Sequence, residues 1–365
     1  MIRINQLKLP IRHTTAELEA KIKKELKLSP GHKLSWQVVK KSIDARKKPD
    51  LIYSYTVDVA VEGEQSVLKR LQNHNISAVS PKRYLIPEAD AKQKKGLRPV
   101  IIGAGPAGLF CAYELVLAGL SPIVLERGRE IKERTRDVQT YWRTGVLDTA
   151  SNVQFGEGGA GTFSDGKLNT LVKDKFYRNK KVLEIFVNMG APEEILYINK
   201  PHIGTDLLRD VIINLRNEII KMGGEIRYNS CLTNVEIQNS SIKSIEINNS
   251  EKIDTEVLIL AIGHSARDTF SMLADHCVFM QPKPFSVGVR IEHRQEDVDR
   301  SLYGKYAGNP KLPVGEYQLS HRRKDGRCVY TFCMCPGGHV VPAASEENTV
   351  VTNGMSEFAR DGKNA

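Results

Sequence analysis

A glycine-rich turn between an apolar strand and an apolar helix constrains the fold of this 365-residue chain more than any other feature. The apolar run Val100–Ile102 precedes the turn, a helix is predicted to continue to Ala118, and the second apolar run 123–125 ends at Glu126. The pattern predicts a β-α-β unit within 27 residues, which is typical of a Rossmann-type α/β domain. The turn consists of Gly103, Ala104, Gly105, Pro106, Ala107 and Gly108.

Each glycine of the turn has a predicted role. Gly103 permits the tight bend, Gly105 allows the close approach of a pyrophosphate, and Gly108 allows the helix to pack against the strands. The N-terminus of the helix then presents free N–H groups to the phosphates. Glu126 stands 23 residues after Gly103, where a carboxylate accepts hydrogen bonds from ribose hydroxyls. These features predict an adenine dinucleotide with a free 2′-OH, and a glycine turn in another kind of α/β unit is the alternative.

A second glycine cluster lies in residues 151–169, with no apolar strand before it and no helical pattern after it. We interpret it as a loop whose N–H groups line a second edge of the dinucleotide, and an ordinary surface loop is the alternative. The apolar run 257–262 predicts a buried strand that returns to the first sheet and brings Gly263 close to the same ligand. The loop residues assigned to binding are Gly158, Gly159 and Gly161.

Residues 1–90 are predicted to form a ferredoxin-like module with the element order βαββαβ. Thr15 is the predicted N-cap of its first helix, and Lys47-Lys48-Pro49-Asp50 is a predicted turn. Residues 89–98 lack apolar periodicity and predict a linker. The predicted strands cover residues 3–9, 34–45, 51–61 and 76–84, and the predicted helices cover residues 15–28 and 64–72.

Positive charge is concentrated in the first 98 residues, which hold 21 basic and 10 acidic side chains, whereas the remainder holds 32 and 33. Tyr53 and Tyr55 share one strand face, as base stacking in an RNA-binding sheet requires. The rest of the aromatic signature of RNA-recognition modules is missing, so nucleic-acid binding is the minor interpretation. A solvated basic face, or a docking surface for an acidic protein partner, is the main one.

Residues 276–365 are predicted to begin an antiparallel, β-rich substrate domain. Arg290 and Glu292 share the polar face of its first strand and are candidates for binding an acidic substrate or for forming an ion pair. That strand is predicted to be half-buried because four apolar residues alternate with polar ones, namely Phe285, Val287, Val289 and Ile291.

The sequence also limits the cellular compartment. It shows no secretory signal, and glycines and prolines within the apolar stretch 100–125 argue against a membrane helix. Six cysteines without C-x-x-C spacing indicate neither a disulfide framework nor a zinc site. We expect a cytoplasmic protein without a metal site.

Several longer strings resemble one family, the uncharacterised bacterial FAD-dependent dehydrogenases of the glutathione-reductase superfamily, often labelled NAD(P)/FAD-dependent oxidoreductases. The resemblance implies FAD, held in a Rossmann-type domain over residues 97–275 with an inserted β-meander, and NAD(P)H as a diffusible electron donor. Members of the family continue beyond the position of Ala365, so the resemblance also implies a C-terminally truncated chain. The strings are the glycine turn, Glu126-Arg127-Gly128, Phe155–Leu168, Pro201–Asp206, Gly263–Asp268, Gly288–His293 and Phe332–Gly338.

Catalytic residues are harder to identify, because a flavin accepts hydride itself and the protein mainly orients the substrate. His264 is a candidate proton donor near the flavin. Cys333 and Cys335 are a candidate redox pair, with Cα atoms about 6.6 Å apart on one strand face. Structural roles are the alternatives for all three, and His202 and Asp206 are predicted to cap the helix that begins near residue 206.

These predictions combine into a cytoplasmic FAD-dependent oxidoreductase that transfers hydride or electrons between a small-molecule substrate and flavin N5. An RNA-associated or RNA-modifying flavoprotein that uses the basic module is one alternative. A non-catalytic flavin-binding protein is the other.

Overall fold

The first six elements of the computed structural model, which describes residues 1–46, 50–170 and 172–365, form one antiparallel sheet with two helices. The strands lie in the order β2-β3-β1-β4. Of the predicted turn at 47–50, residues 47–49 lie outside the described residues. The elements are β1 (Ile2–Pro10), α1 (Thr15–Glu25), β2 (Leu34–Asp44), β3 (Ile52–Val61), α2 (Glu64–Lys69) and β4 (Ile76–Ala78).

The first helix begins with a capping box one residue earlier than predicted. The Thr14 hydroxyl accepts a hydrogen bond from the N–H of Glu17, and the Glu17 carboxylate accepts one from the N–H of Thr14 at 2.7 Å. Thr14 is extended, with φ −101° and ψ 165°, as a cap residue must be, so the prediction of Thr15 was wrong. Leu18, Ile22 and Leu26 of this helix are buried in the core of the sheet.

The charged stretch predicted as a linker contains a short helix, α3 (Ala91–Lys95). Asp90 caps it by accepting a hydrogen bond from the N–H of Gln93 at 2.8 Å. The N–H of Ala89 bonds the carbonyl of Ala118 at 2.9 Å, so the start of this stretch is fixed against the next domain.

The predicted β-α-β unit is confirmed, and it forms the centre of a four-stranded parallel sheet in the order β11-β5-β6-β7. The predicted return of the run 257–262 to this sheet is also confirmed. The elements are β5 (Val100–Ile102), α4 (Pro106–Leu117), β6 (Ile123–Leu125), α5 (Ile131–Thr144), α6 (Arg178–Asn188), α7 (Thr205–Lys221), β7 (Glu225–Arg227), β8 (Leu232–Gln238), β9 (Ser241–Ile247), β10 (Glu251–Asp254) and β11 (Leu258–Leu260).

The region from residue 225 to 254 is divided between two sheets. β8, β9 and β10 form the expected antiparallel meander, in the order β10-β9-β8. β7 pairs instead in parallel with β6, because Gly223 and Gly224 end α7 beside the edge of the parallel sheet. The strand at 225–227 thus belongs to the parallel sheet rather than to the inserted meander.

The last part of the described chain contains two helices and two hairpins. They are α8 (Arg267–Asp275), α9 (Gln295–Tyr303), β12 (Ser320–Arg322) with β13 (Cys328–Tyr330), and β14 (His339–Pro342) with β15 (Thr352–Met355). Within the described ranges, no helix is long and apolar enough to cross a membrane.

The half-buried strand predicted at 285–291 is absent from the structure. Its four apolar side chains are 67–91 % exposed, and no strand of the described residues pairs with the segment. Alternation predicts which side chains share a face, but a strand also needs a neighbour that satisfies its N–H and C=O groups. The strand predicted to carry Cys333 and Cys335 is absent too, and Cys333 adopts a left-handed conformation with φ +55°.

Candidate functional site

A cavity of about 700 Å³ opens at the carboxyl ends of β5, β6 and β11. In open parallel sheets this edge is the usual ligand-binding position, and the volume lies in the range of small-molecule sites. The predicted site residues that line it are Gly103, Gly105, Pro106, Ala107, Glu126, Arg127, Gly159, Gly161, Gly263 and His264.

The glycine turn has the geometry that its three predicted roles require. Gly103 has φ +102°, and a Cβ there would lie 2.5 Å from the carbonyl oxygen of Ala261. A Cβ at Gly108 would lie 1.8 Å from the carbonyl oxygen of Gly103, so only glycine permits this approach of helix to turn. A Cβ at Gly105 would meet nothing closer than the Cα of Gly159 at 3.7 Å, so the backbone is open to a ligand.

The N-terminus of α4 begins at this turn without a side-chain cap. Gly105 is its N-cap residue and Pro106 follows as the first helical residue. Because the first N–H groups of a helix have no partner within the helix, they are free to bind an anion. The side chains of the turn are small, so the cradle stays open for a pyrophosphate.

Glu126 joins the turn to the second glycine cluster. The buried carboxylate accepts a hydrogen bond from the N–H of Ala104 at 2.7 Å, and others from the N–H groups of Gly128 and Gly156 at 2.9 Å each. A carboxylate has about four acceptor positions, so roughly one remains for a ribose hydroxyl. The backbone contacts were not expected from the sequence, which assigned Glu126 to the sugar alone.

The second glycine cluster packs directly on the first. The N–H of Gly158 donates to the carbonyl of Ala104 at 2.8 Å, and a 3-10 helix follows at Gly159–Phe163. A Cβ at Gly159 would lie 3.1 Å from the Cα of Gly105, so the two backbones meet where side chains would separate them. The cluster is therefore part of the cavity wall rather than an isolated surface loop.

Arg134, which was not predicted as a site residue, stabilises this loop through hydrogen bonds to its backbone. Its guanidinium is fully buried and donates to the carbonyl oxygens of Asn152, Val153 and Glu157. Burial lowers the pKa of Arg134 to about 10, because the charged form has lost its water. The signal in the sequence was a charged residue on the apolar face of α5.

Glu157 is a second buried charge that the sequence reasoning missed. Its carboxylate accepts a hydrogen bond from the N–H of Ile131 at 2.8 Å and pairs with Arg216 at 3.0 Å. Burial raises the pKa of Glu157, and the positive charge of Arg216 opposes that effect. The loop is thus tied to α5 and to α7 by two separate contacts.

The cavity wall also contains Gly263 and His264. Gly263 has φ +69° with no atom near its missing Cβ, and it follows β11 directly. The His264 ring lies 2.8 Å from the Ser265 hydroxyl through Nδ1, and the residue is exposed. Phe279 and Met280 line the same cavity.

Arg127 lines the cavity, but its charge is already paired. The guanidinium lies over the ring of Phe155 at 4.6 Å and donates to Asp268 and Thr269 at 2.9 Å each. Arg127 therefore joins the glycine loop to the first turn of α8.

Other candidates lie away from the cavity. Cys333 and Cys335 are free thiols that do not line it, and burial raises the pKa of Cys335. Arg290 donates to the carbonyl of Cys333 at 3.0 Å, and Glu292 accepts from the N–H of Val340 at 3.1 Å. Neither the predicted redox pair nor the predicted acidic-substrate pair is thus assembled beside the glycine turn.

His202 and Asp206 do not cap α7, whose N-cap residue is Gly204. The His202 ring stacks on Phe358 and bonds its carbonyl at 3.0 Å, while Asp206 accepts from the N–H of Phe358 at 2.8 Å. These side chains bind residues from the last part of the chain, which periodicity in α7 could not indicate.

The two tyrosines considered for base stacking are buried. Tyr53 donates to the carbonyl of Lys311, and Tyr55 lies 3.0 Å from Nε2 of His13. Each side chain is about one-twentieth exposed, so the predicted RNA-stacking face is absent.

The parallel sheet, the open glycine turn and the buried carboxylate define a dinucleotide-binding protein of the Rossmann class. A family model described as "FAD binding domain" matches residues 98–224, and one described as "FAD-dependent protein, C-terminal domain-like" matches residues 284–365. A domain of unknown function matches residues 1–60.

Along its whole length the chain is 45 % identical to an uncharacterised protein of Clostridium beijerinckii, of which it covers 68 %. It therefore belongs to the family of that protein, a family of FAD-dependent flavoproteins in the oxidoreductase class. FAD is its cofactor, and the open approach at Gly105, the uncapped α4 and Glu126 fit the adenine dinucleotide half of that molecule.

Solved structures show lower similarity. L-amino acid deaminase from Proteus vulgaris is 16 % identical over 53 % of this chain and 53 % of that chain, with a TM-score of 0.28. Thioredoxin reductase from Lactococcus lactis is 14 % identical over 45 % of this chain and 34 % of that chain, with a TM-score of 0.25. The chain thus spans about half or less of these proteins, and its fold assignment rests on its own sheet order.

Proposed function

We propose that this protein is an FAD-dependent dehydrogenase that takes hydride from a small-molecule substrate or from NAD(P)H. The isoalloxazine of FAD supplies that chemistry, since its N5 accepts hydride. The observation that carries the proposal is the cavity where the glycine turn, Glu126 and the second glycine loop meet at the carboxyl edge of a parallel sheet.

In this proposal the residues of the cavity have separate tasks. The turn 103–108 and the N-terminus of α4 bind the pyrophosphate, and Glu126 accepts one ribose hydroxyl. The backbone of 158–161 lines the second edge, held in place by Arg134. Rigid backbone donors of this kind cost little reorganisation when an anion binds, which favours tight retention of the cofactor.

His264 is the proposed proton-holding group at the reactive end. It lies next to Gly263 on the cavity wall, and its Nδ1 is engaged by Ser265 at 2.8 Å. Nε2 is then the atom that accepts the proton a substrate loses as its hydride goes to the flavin. A histidine suits this task because its ordinary pKa lies near neutral pH.

We also propose that residues 1–90 form a ferredoxin-like docking module for an acidic protein partner. The sheet order β2-β3-β1-β4 and the concentration of positive charge support this proposal. Residues 97–275 would be the FAD domain, and residues 276–365 would belong to a substrate domain. A cytoplasmic location is part of the proposal, since all six cysteines are free thiols.

The proposed activity is tested by anaerobic reduction of the purified protein with NADH and NADPH separately. We expect the visible absorption of bound flavin to bleach with one of the two nucleotides, because hydride reaches the isoalloxazine. Dithionite serves as the control that the bound flavin is reducible. If dithionite bleaches the flavin but neither nucleotide reduces it, the result would contradict NAD(P)H as the donor. It would favour the non-catalytic alternative.

The position of the cofactor is tested by Gly105→Val. The new side chain would occupy the open approach to the pyrophosphate, so we expect FAD affinity to fall about 100-fold while the apoprotein keeps its unfolding midpoint. Gly31→Val, at a position with no neighbour within 4 Å of the missing Cβ, is the matched control. Unchanged FAD affinity in the Gly105 variant would place the cofactor elsewhere.

A further inference from the structure

A second cavity, of about 660 Å³, lies between the N-terminal sheet and the rest of the chain. It shares no lining residue with the cavity at the glycine turn. We call it the seam cleft and define it by Trp36, Lys41, Tyr53, Tyr55, Tyr197 and Lys311. Nothing in the family matches assigns a ligand to this position.

The two walls of the seam cleft are fixed to each other. The N–H of Lys41 on β2 donates to the carbonyl of Tyr197 at 2.7 Å, and the N–H of Asn199 donates to the carbonyl of Lys41 at 3.0 Å. On the other side, Tyr53 donates to the carbonyl of Lys311. Hydrogen bonds therefore join the walls on both sides, from backbone to backbone at Lys41 and through the Tyr53 hydroxyl at Lys311. The cleft is thus a preformed feature of the fold, and a ligand need not order it.

The floor of the cleft is aromatic. The rings of Tyr53 and Tyr55 lie 6.1 Å apart, and the His13 ring meets both edge-on at 5.9 and 5.4 Å. Trp36 and Tyr197 line the same space, and Leu196 beside them is 40 % exposed. Flat aromatic walls of this kind favour a planar apolar ligand.

The hydroxyls of the floor are already satisfied, so they do not select the ligand. His13 lies 2.7 Å from the carbonyl of Pro10 through Nδ1, which makes Nδ1 the donor and Nε2 the acceptor of the Tyr55 hydroxyl. Tyr53 is bonded to Lys311. The polar selection must therefore come from the charged side chains.

Two lysines give the rim a positive charge. The Lys41 ammonium lies 4.6 Å from the centre of the Tyr53 ring, and the Lys311 ammonium donates to the carbonyl of Arg12 at 3.3 Å. Within the described ranges, neither ammonium has a carboxylate within 4.0 Å. Glu193 is the one carboxylate among the described residues of the wall, so the lining keeps a net positive charge.

We propose that the seam cleft binds a small planar aromatic carboxylate. Its ring packs on Trp36 and Tyr197, which line the cleft and are half-buried, and its carboxylate is bound by Lys41 with Lys311 nearby. A cation that already lies over an aromatic ring is well placed to receive an anion at the edge of that ring. This proposal is independent of the flavin chemistry, because the two cavities have separate linings.

The test uses 4-iodobenzoate as the probe and Trp36 as the reporter, in the full chain with FAD bound. The chain has two tryptophans, so Trp142→Phe leaves Trp36 as the single indole. We expect saturable quenching of its fluorescence by the heavy iodine atom. Calorimetric titration of the unmodified chain gives the same affinity without relying on the Trp142 variant.

Charge selection is tested with two further measurements. We expect 4-iodobenzamide, the neutral match of the probe, to bind about tenfold more weakly, and Lys41→Met to weaken 4-iodobenzoate about tenfold without affecting the amide. Lys40→Met, at the exposed neighbouring position on the same strand, is the control and should leave both affinities unchanged.

Three results would overturn the proposal. One is the absence of saturable quenching and of a calorimetric signal. Another is equal binding of the acid and the amide, which would make the cleft a merely apolar surface. The third is a change in flavin absorbance that persists in Lys41→Met, which would place the probe in the flavin cavity instead.

Discussion

Arg134 shows what single residues contribute to the site. It occupies a position between Ile131 and Val138 on α5 where helical periodicity would place an apolar side chain, and both of those neighbours are buried. Its guanidinium replaces water with three backbone carbonyls, which offsets the cost of burying the charge. The sequence contains the charged residue but not the loop that receives it.

Replacing Arg134 with Met should destabilise the protein. The three carbonyls would lose their donor while remaining buried, at about 1 kcal/mol or more each, so we expect the free energy of unfolding to fall by at least about 3 kcal/mol. Urea unfolding of the holoprotein measures this. Arg136→Met, on the exposed face of the same helix, is the control, and an equal effect at both positions would contradict the assigned role.

His202 should make the stability depend on pH. Burial, and then the positive charge of Arg360, lower its pKa in the folded state below the ordinary value of 6.5. The unfolded chain therefore binds more protons near that pH, so the contribution of neutral His202 is complete above about pH 6.5 and is lost as the pH falls through the folded pKa.

The measurement is the unfolding midpoint between about pH 5 and pH 7. His202→Gln keeps a donor for the carbonyl of Phe358 but does not titrate, so its midpoint should fall less steeply on acidification. His321→Gln, at an exposed position, should retain the wild-type slope. Parallel curves for wild type and the His202 variant would show that this histidine does not carry the effect.

At the scale of elements, the sequence predicted the helices and strands whose signals lie within a few consecutive residues. The strand β5, the helix α4 and their glycine turn follow from a few consecutive residues, and α7 follows from its apolar spacing. The strand expected at 285–291 depended on a neighbour that the described chain does not place there. β7, in contrast, has a neighbour that its own sequence does not indicate: the end of α7 places it next to β6, and it joins the parallel sheet.

The packing of α4 on the turn should tolerate no side chain at residue 108. Gly108→Ala would place a Cβ 1.8 Å from a backbone carbonyl oxygen, so the helix must move and its buried face must repack. We expect a loss of roughly 2 kcal/mol or more in the free energy of unfolding. Gly161→Ala, where no atom lies within 4 Å of the new Cβ, should be close to neutral. Similar losses at the two glycines would refute this account of the packing.

At the scale of the whole molecule, the N-terminal sheet and the last part of the chain share one core. Tyr303 of α9 is 7 % exposed and packs in the same cluster as Leu7 and Val57 of the sheet. Residue 303 therefore completes a module whose other buried members lie in the first 67 residues. No pattern within residues 1–90 indicates this contribution.

Tyr303→Ala should lower the stability of the N-terminal module as well as that of α9. Removing a buried ring leaves a cavity, for which we expect a loss of about 3 kcal/mol and faster amide exchange in β3. Exchange measured by mass spectrometry, with Tyr330→Ala as the exposed control, tests the coupling. Faster exchange confined to residues 295–306 would mean that the two parts do not stabilise each other.

The sequence by itself determined the glycine turn, the helix that follows it and the acidic residue at the end of the next strand. Those features are encoded within 27 consecutive residues, because glycine conformation and helix periodicity act over short distances. Only the tertiary structure decided that Glu126 accepts hydrogen bonds from three backbone N–H groups and that Arg134 donates to the backbone of the second glycine loop. It also decided that Tyr53 and Tyr55 line a cleft. Hydrogen-bond partners of buried groups come from distant parts of the chain, and their identity depends on how the elements pack.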